Sequence, residues 1–201
     1  MNKLTLITLA AIAVAMIQAC QSPDQKWDSK SSADTLNNMK DSVADPNKSI
    51  TKDLVMKVSE DDAKFAVAAA VGGMAEVELG QLAQQKAGSS LVKDFGMMMV
   101  ADHSKANTEL KGLAQSKGIT LPTTLDNGEQ QIKDDLSAKS GKGFDKSYIA
   151  DMIEDHQKDI KDFEDAAKNL KDSDLKAFAE KTLPTLKMHL AAIQKIHDSL
   201  K

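Results

Sequence analysis

The segment FGMMMVADH at 95–103 returns as YIADMIEDH at 148–156. Both copies read aromatic, three residues, Met, Val or Ile, one residue, Asp, His. Apolar residues recur around both at the spacing of one helix face. The chain must therefore bring two long helices together, each with a Met-x-x-Asp-His pattern near its middle. A chance recurrence of Asp-His, with both rings as satisfied core or surface residues, is the bland alternative.

The surrounding sequence predicts four such helices. Ser59 followed by Glu60, Asp61 and Asp62 places a capping side chain and three acids at a positive helix end. That first helix carries the stripe Phe65, Ala69, Gly72, Glu76, Leu79, Ala83 and ends near Gly88. Glu78 lies on another face, beside Val71, Met74 and Leu82. The second helix starts at Ser89 or Ser90 and ends at Gly118, with the stripe Val92, Met99, His103, Ala106, Leu110, Leu113 and Phe95 at its border. Gly96 and Ala106 near His103 allow a neighbouring helix close. The third helix spans about 145–171, with the stripe Ile149, Met152, His156, Ile160, Phe163, Ala167, Leu170. Its outer face is acidic: Glu154, Asp155, Asp159, Asp162, Asp165. Ser173 caps the fourth, whose stripe is Leu175, Phe178, Leu186, His189, Ile193, Ile196, Leu200. Pro184 should kink it or start a fresh segment.

Tight turns at 88–89 and 172–173 make two antiparallel hairpins. The connection 118–144 is too long for a simple turn and has room for a short helix at 129–139. The fold class is all-α: a ferritin-like four-helix bundle with a long crossover between the second and third helices.

Glu76, His103, His156 and His189 each interrupt an apolar stripe, one per helix. Counted from the helix ends, they share one level within about two residues, ~3 Å of rise. That holds only if the third helix runs back after a crossover. Three imidazoles and a carboxylate meeting there could ligate one transition metal, Zn, Cu or Fe. Met99 and Met152, one turn before the repeated histidines, offer thioether sulfur, with Met97, Met98, Met74 and Met188 as weaker candidates. Asp102 and Asp155 are better placed to orient a histidine than to bind metal directly. The same layer could hydrogen-bond within itself and fix helix register with nothing bound. His197 reads as a solvated histidine of the last helical turn.

Every one of the 26 basic residues is Lys, and net charge is −4. Without Arg clamps or a basic stripe, nucleic-acid binding is disfavoured. Cys20 is the single cysteine, which excludes disulfides within the chain, a paired-Cys zinc site and c-type haem. Residues 1–19 read as a signal peptide: Lys3, the apolar run 4–17, then Ala19 before Cys20. A small residue before a lone cysteine resembles the lipobox of bacterial lipoproteins, in which that cysteine is acylated. The resemblance implies a membrane anchor at Cys20, and Gln21 favours the outer membrane facing the periplasm. An ordinary cleaved signal is the alternative. Residues 20–58, rich in Ser, Asp, Lys and Asn with Pro23 and Pro46, read as a flexible tether, with a short helix allowed at 49–58. Trp27 has no assigned role there.

The stretches at 72–87, 95–114, 144–156 and 183–190 together resemble the bacterial domain-of-unknown-function family numbered 4142, over about residues 60–200. The resemblance implies an exported protein with a ferritin-like domain. It implies no activity. No Glu-x-x-His occurs, so a di-iron carboxylate site is not expected. Three readings stand: an envelope lipoprotein that binds metal or has a structural role, a mononuclear metalloenzyme, and a partner-binding module using the acidic face of the third helix.

Overall fold

Ser59 opens the first long helix with a reciprocal cap. Its hydroxyl accepts from the Asp62 amide and the Asp62 carboxylate accepts from the Ser59 amide. The computed structural model describes residues 28–42 and 58–200. These contain six helices and no strand: α1 Ser29–Ser42, α2 Glu60–Lys86, α3 Ser90–Lys117, α4 Asn127–Ser137, α5 Gly141–Asn169 and α6 Ser173–Ser199. Residues 1–27, with Cys20 and Trp27, lie outside the described residues, as do 43–57 and the predicted helix there.

The long helices pack as two hairpins, α2 with α3 and α5 with α6. Two buried aspartates clamp each hairpin to the turn of the other. Asp62, at the start of α2, accepts from the amides of Lys171 (2.9 Å) and Asp172 (3.3 Å) in the α5–α6 turn. Asp145, early in α5, accepts from Gly88 (3.0 Å) and Ser89 (2.9 Å) in the α2–α3 turn. So α5 starts where α2 ends and ends where α2 starts. Lys117, closing α3, meets Asp172 at 2.7 Å and Asp174 at 2.8 Å at that same end. The chain from Gly118 to Ser140 must therefore return the whole length of the bundle. Gly118 turns it with φ 73°, a conformation that suits glycine. On the way α4 lies against α2, where Lys133 pairs with Glu78 at 2.6 Å.

Several boundaries differ from the sequence reading. Asp172, not Ser173, caps α6, because its carboxylate reaches the amides of Asp174 and Leu175. α5 begins at Gly141, so Gly143 lies within its first turn. α6 runs through Pro184 without interruption. On α2 the buried set is Asp62, Ala63, Ala66, Val67, Ala70, Val71, Gly73, Ala75, Glu76, Leu79, Gly80 and Ala83, while Phe65, Ala69 and Gly72 are half-buried. One stripe could not describe α2, since α1, α3, α4 and α5 all pack on it. This also explains its composition. α2 is the one described helix apolar enough to cross a membrane, and half of the qualifying window is buried in the protein.

The tether reading of 20–58 is corrected at α1. Asn37, buried, donates to the Thr120 carbonyl (3.0 Å) and accepts from the Thr120 amide (2.8 Å). Ser29 donates to the carbonyl of Thr124, and Lys40 to that of Gly118. Only Ala33 among the apolar residues of α1 is buried and the hydrogen bonds of the docking are polar, so apolar periodicity could not reveal it.

The core divides into two apolar clusters. One gathers Ala66, Ala70, Leu110, Phe163, Leu175, Phe178 and Leu186. The other gathers Leu79, Phe95, Met99, Phe144, Tyr148, Met152 and Ile193. In all four long helices the residue between the clusters is Glu76, His103, His156 or His189.

Candidate metal centre

These four side chains meet. Glu76 is 1% exposed, His103 5%, and His156 and His189 0%. Glu76 Oε2 lies 2.6 Å from His103 Nδ1, and Glu76 Oε1 lies 3.4 Å from His156 Nε2. His189 Nδ1 lies 3.3 Å from His103 Nε2 and 3.4 Å from His156 Nε2. The close approach of α2 and α3 comes from Gly80 and Gly96. A Cβ on either would stand within 2.8 Å of the other's carbonyl oxygen.

The outer nitrogens decide which inner ones carry hydrogen. His156 Nδ1 faces the Met152 carbonyl at 3.0 Å, and a carbonyl only accepts. The hydrogen is thus on Nδ1, and Nε2 keeps its lone pair. His189 Nε2 donates to Asp102 Oδ2 at 2.9 Å, which leaves Nδ1 bare. Two lone pairs therefore face each other across 3.4 Å with no hydrogen between them. When His103 donates from Nδ1 to Glu76, its Nε2 becomes a third bare nitrogen in the same space. Each ring then gives its outer N–H to a carbonyl or carboxylate, the pattern that orients metal-bound histidines.

Burial pushes the Glu76 carboxyl well above its usual range, with the charge of Asp155 adding to it. Burial lowers His103 to about 4 and His156 to about 3, and lowers His189 as well. Neutral imidazole is the metal-binding form, so the rings stay competent well below neutral pH. The signs also set the stability of the metal-free protein. Depressed histidines contribute stability that is complete above their unfolded value of 6.5 and is lost as pH falls toward 4 and 3. Raised carboxyls contribute stability that is complete below their unfolded value of 4.5 and is lost as pH rises; Glu129, raised by burial to about 7, follows the same sign. The unfolding midpoint of the metal-free chain should therefore peak between these values, at roughly pH 5–6, and fall on both sides. Thermal melts from pH 4 to 8 check this, and a midpoint rising steadily to pH 8 would contradict it.

The comparisons agree with the sequence resemblance. The family described as domain of unknown function (DUF4142) matches residues 50–196. The chain belongs to that family. No curated protein and no solved structure matches it.

In this DUF4142 domain the other sequence candidates divide. Asp102 holds His189 of α6. Asp102→Asn leaves an amide that can present its NH2 to Nε2 and reverse the tautomer. Were a metal held by these rings, its affinity should fall about 10- to 100-fold in this variant while the midpoint of the metal-free protein changes little, as titration calorimetry and melts would show. Asp155 holds no histidine by a hydrogen bond. It lies with Glu76 and His156 in a second group whose ligand atoms are within 4.8 Å of one another. The outer acidic face predicted for this helix is corrected accordingly: Glu154, Asp162 and Asp165 are surface residues, but Asp155 and Asp159 are half-buried. The side chains of Met99 and Met152 belong to the apolar cluster, and Met152 contributes its carbonyl to His156. Met97 and Met188 are exposed. His197 is exposed near Asp198.

The sequence reading missed Tyr148 and Phe95 as a pair. The two aromatics of the repeat touch edge to face at 6.2 Å, and the Phe95 ring also lies 6.4 Å from that of His156 and 6.2 Å from that of His189. Their matched places in the repeat were the available signal. A surface notch of about 120 Å³ opens over Asp102 and His103 between α3 and α6.

Proposed function

We propose that this DUF4142 domain binds one transition-metal ion at His103 Nε2, His156 Nε2 and His189 Nδ1, with Glu76 Oε1 as the fourth donor. The observation that carries the reading is the pair of facing lone pairs on His156 and His189, an arrangement a cation relieves. Glu76 Oε1 supports it, being buried with no hydrogen-bond partner. Spacing supports it too. Donors at ~2.0–2.1 Å from a tetrahedral ion stand roughly 3.3–3.4 Å apart. Three of the separations among these four donors, 3.3, 3.4 and 3.4 Å, fall there, and the three histidines have ligand atoms within 4.8 Å of one another. The nitrogen-rich set suits Zn, Cu or Fe over Mg or Ca.

Around this centre the bundle, with its two hairpins and lengthwise return, reads as ferritin-like. With acylation at Cys20 the whole is a cell-envelope lipoprotein, held at the outer membrane and presenting the bundle to the periplasm. The role is binding rather than catalysis. The second reading keeps the layer as a register device, which the 2.6 Å contact of Glu76 and His103 favours. Cobalt separates the two. Co2+ should give the intense visible bands of a tetrahedral site in the wild type and none in His189→Ala. A Co2+-mixed sample with only the weak spectrum of the hydrated ion would leave the register reading.

A further inference from the structure

At the end of the bundle where the α2–α3 turn meets the start of α5, an open cavity of about 1200 Å3 lies between the first turns of α5 and the last turn of α6. We propose that it binds a single-chain amphipathic carboxylate, such as a free fatty acid, with the hydrocarbon chain along α5 and the carboxylate at Lys142 and Lys146. None of Glu76, His103, His156 and His189 lines it, so the proposal does not rest on the metal reading.

The wall sets the shape of the ligand. Lys142, Lys146, Ile149, Ala150 and Ile153 line the cavity as one stripe of α5. From Lys142 to Ile153 the stripe runs about 16 Å at the rise of a helix. Its first two positions are cationic and its last three apolar. Leu200 of α6 completes the apolar wall and is 45% exposed, with nothing covering it among the described residues. Cavities that bind small molecules combine this kind of apolar wall with a few polar groups. A bare inorganic anion would leave Ile149, Ala150, Ile153 and Leu200 open to water, whereas an acyl chain covers them. One helix stripe is narrow, which favours a single chain.

Charge sets the headgroup. Lys142 and Lys146 are exposed, and among the described residues neither has an ion-pair partner. Asp145 is the one acid in the wall, and it is already engaged. Its two oxygens accept from the amides of Gly88 and Ser89. His197, also in the wall, lies 3.4 Å from Asp198. The two lysines are thus the uncompensated charges, and a carboxylate complements them. The starts of α3 and α5 reach the same wall at Ser90 and Gly141 without a side-chain cap, and their positive ends add to that field.

The experiment titrates the full chain by calorimetry with decanoate below its micelle concentration, and then with dodecanoate, decanol and decyltrimethylammonium. One decanoate should bind per chain, and the two added methylenes of dodecanoate should tighten binding about tenfold. The double variant Lys142→Gln, Lys146→Gln should weaken it at least tenfold. Ala150→Trp, which fills the wall, should do the same. All three positions are exposed, so both variants should melt with the wild type. No binding of decanoate, equal binding of the cationic amphiphile, or binding that both variants leave unchanged would overturn the proposal. Binding to phosphatidylglycerol vesicles without binding of free decanoate would overturn it too, and would make this end of the bundle a lipid-surface contact instead.

Discussion

Excess Zn2+, at about 1,000 times its dissociation constant, should raise the unfolding midpoint of the metal-free chain by roughly 8–16 °C, and His156→Ala should abolish the rise. A ligand at about 1,000 times its dissociation constant stabilises the folded state by ~4 kcal/mol. In a domain of this size each kcal/mol shifts the midpoint by about 2–4 °C. His156 is the decisive ring because it faces both Glu76 and His189. Its removal leaves a cavity as well, so each protein is compared with its own metal-free form. Calorimetric melts with Zn2+ and with EDTA provide the check. A rise that survives in His156→Ala would place the metal elsewhere.

Gly96→Ala should destabilise the bundle by about 3 kcal/mol, at the upper end of overpacking costs. The added methyl would stand 2.7 Å from the Gly80 carbonyl oxygen and 2.9 Å from the Ala83 Cβ, and a backbone carbonyl cannot swing aside. α2 and α3 must separate. Gly96 is two turns from His103, and Gly80 one turn from Glu76, so the 2.6 Å contact between Glu76 and His103 should lengthen with them. Metal affinity would then fall together with stability. Gly112→Ala is the control, since its added methyl meets nothing within 4 Å. Urea melts of the two variants decide. Equal stability would mean that close helix approach is not what holds the layer together.

The long helices were legible because caps and apolar stripes mark them, as at Ser59 and Gly118. The shared level of Glu76, His103, His156 and His189 was legible because each polar residue interrupts a stripe and helix rise is constant. What was hidden depends on neighbours distant in sequence. Asp62 reads as one of three acids at a helix start, yet its second oxygen clamps the α5–α6 turn. Asn37 docks α1 through its amide, and no periodicity reports that. Asp155 and Asp159 read as surface charge until α2 and α4 are placed beside them. Asp172 and Ser173 are both good caps, and only backbone geometry chooses between them. Within the site the members were legible, but their roles were not. Which nitrogen of each ring faces inward follows from Met152, Asp102 and Glu76, partners that only the folded chain brings beside the rings.

The most direct test is the metal content of residues 28–201, with α1 kept, purified without a histidine tag and reloaded separately with Zn, Cu and Fe. Near-stoichiometric retention of one nitrogen-preferring metal per chain after dialysis is expected, with loss of that metal in His103→Ala and His189→Ala. Retention of none of the three, with both variants as stable as the wild type, would contradict it.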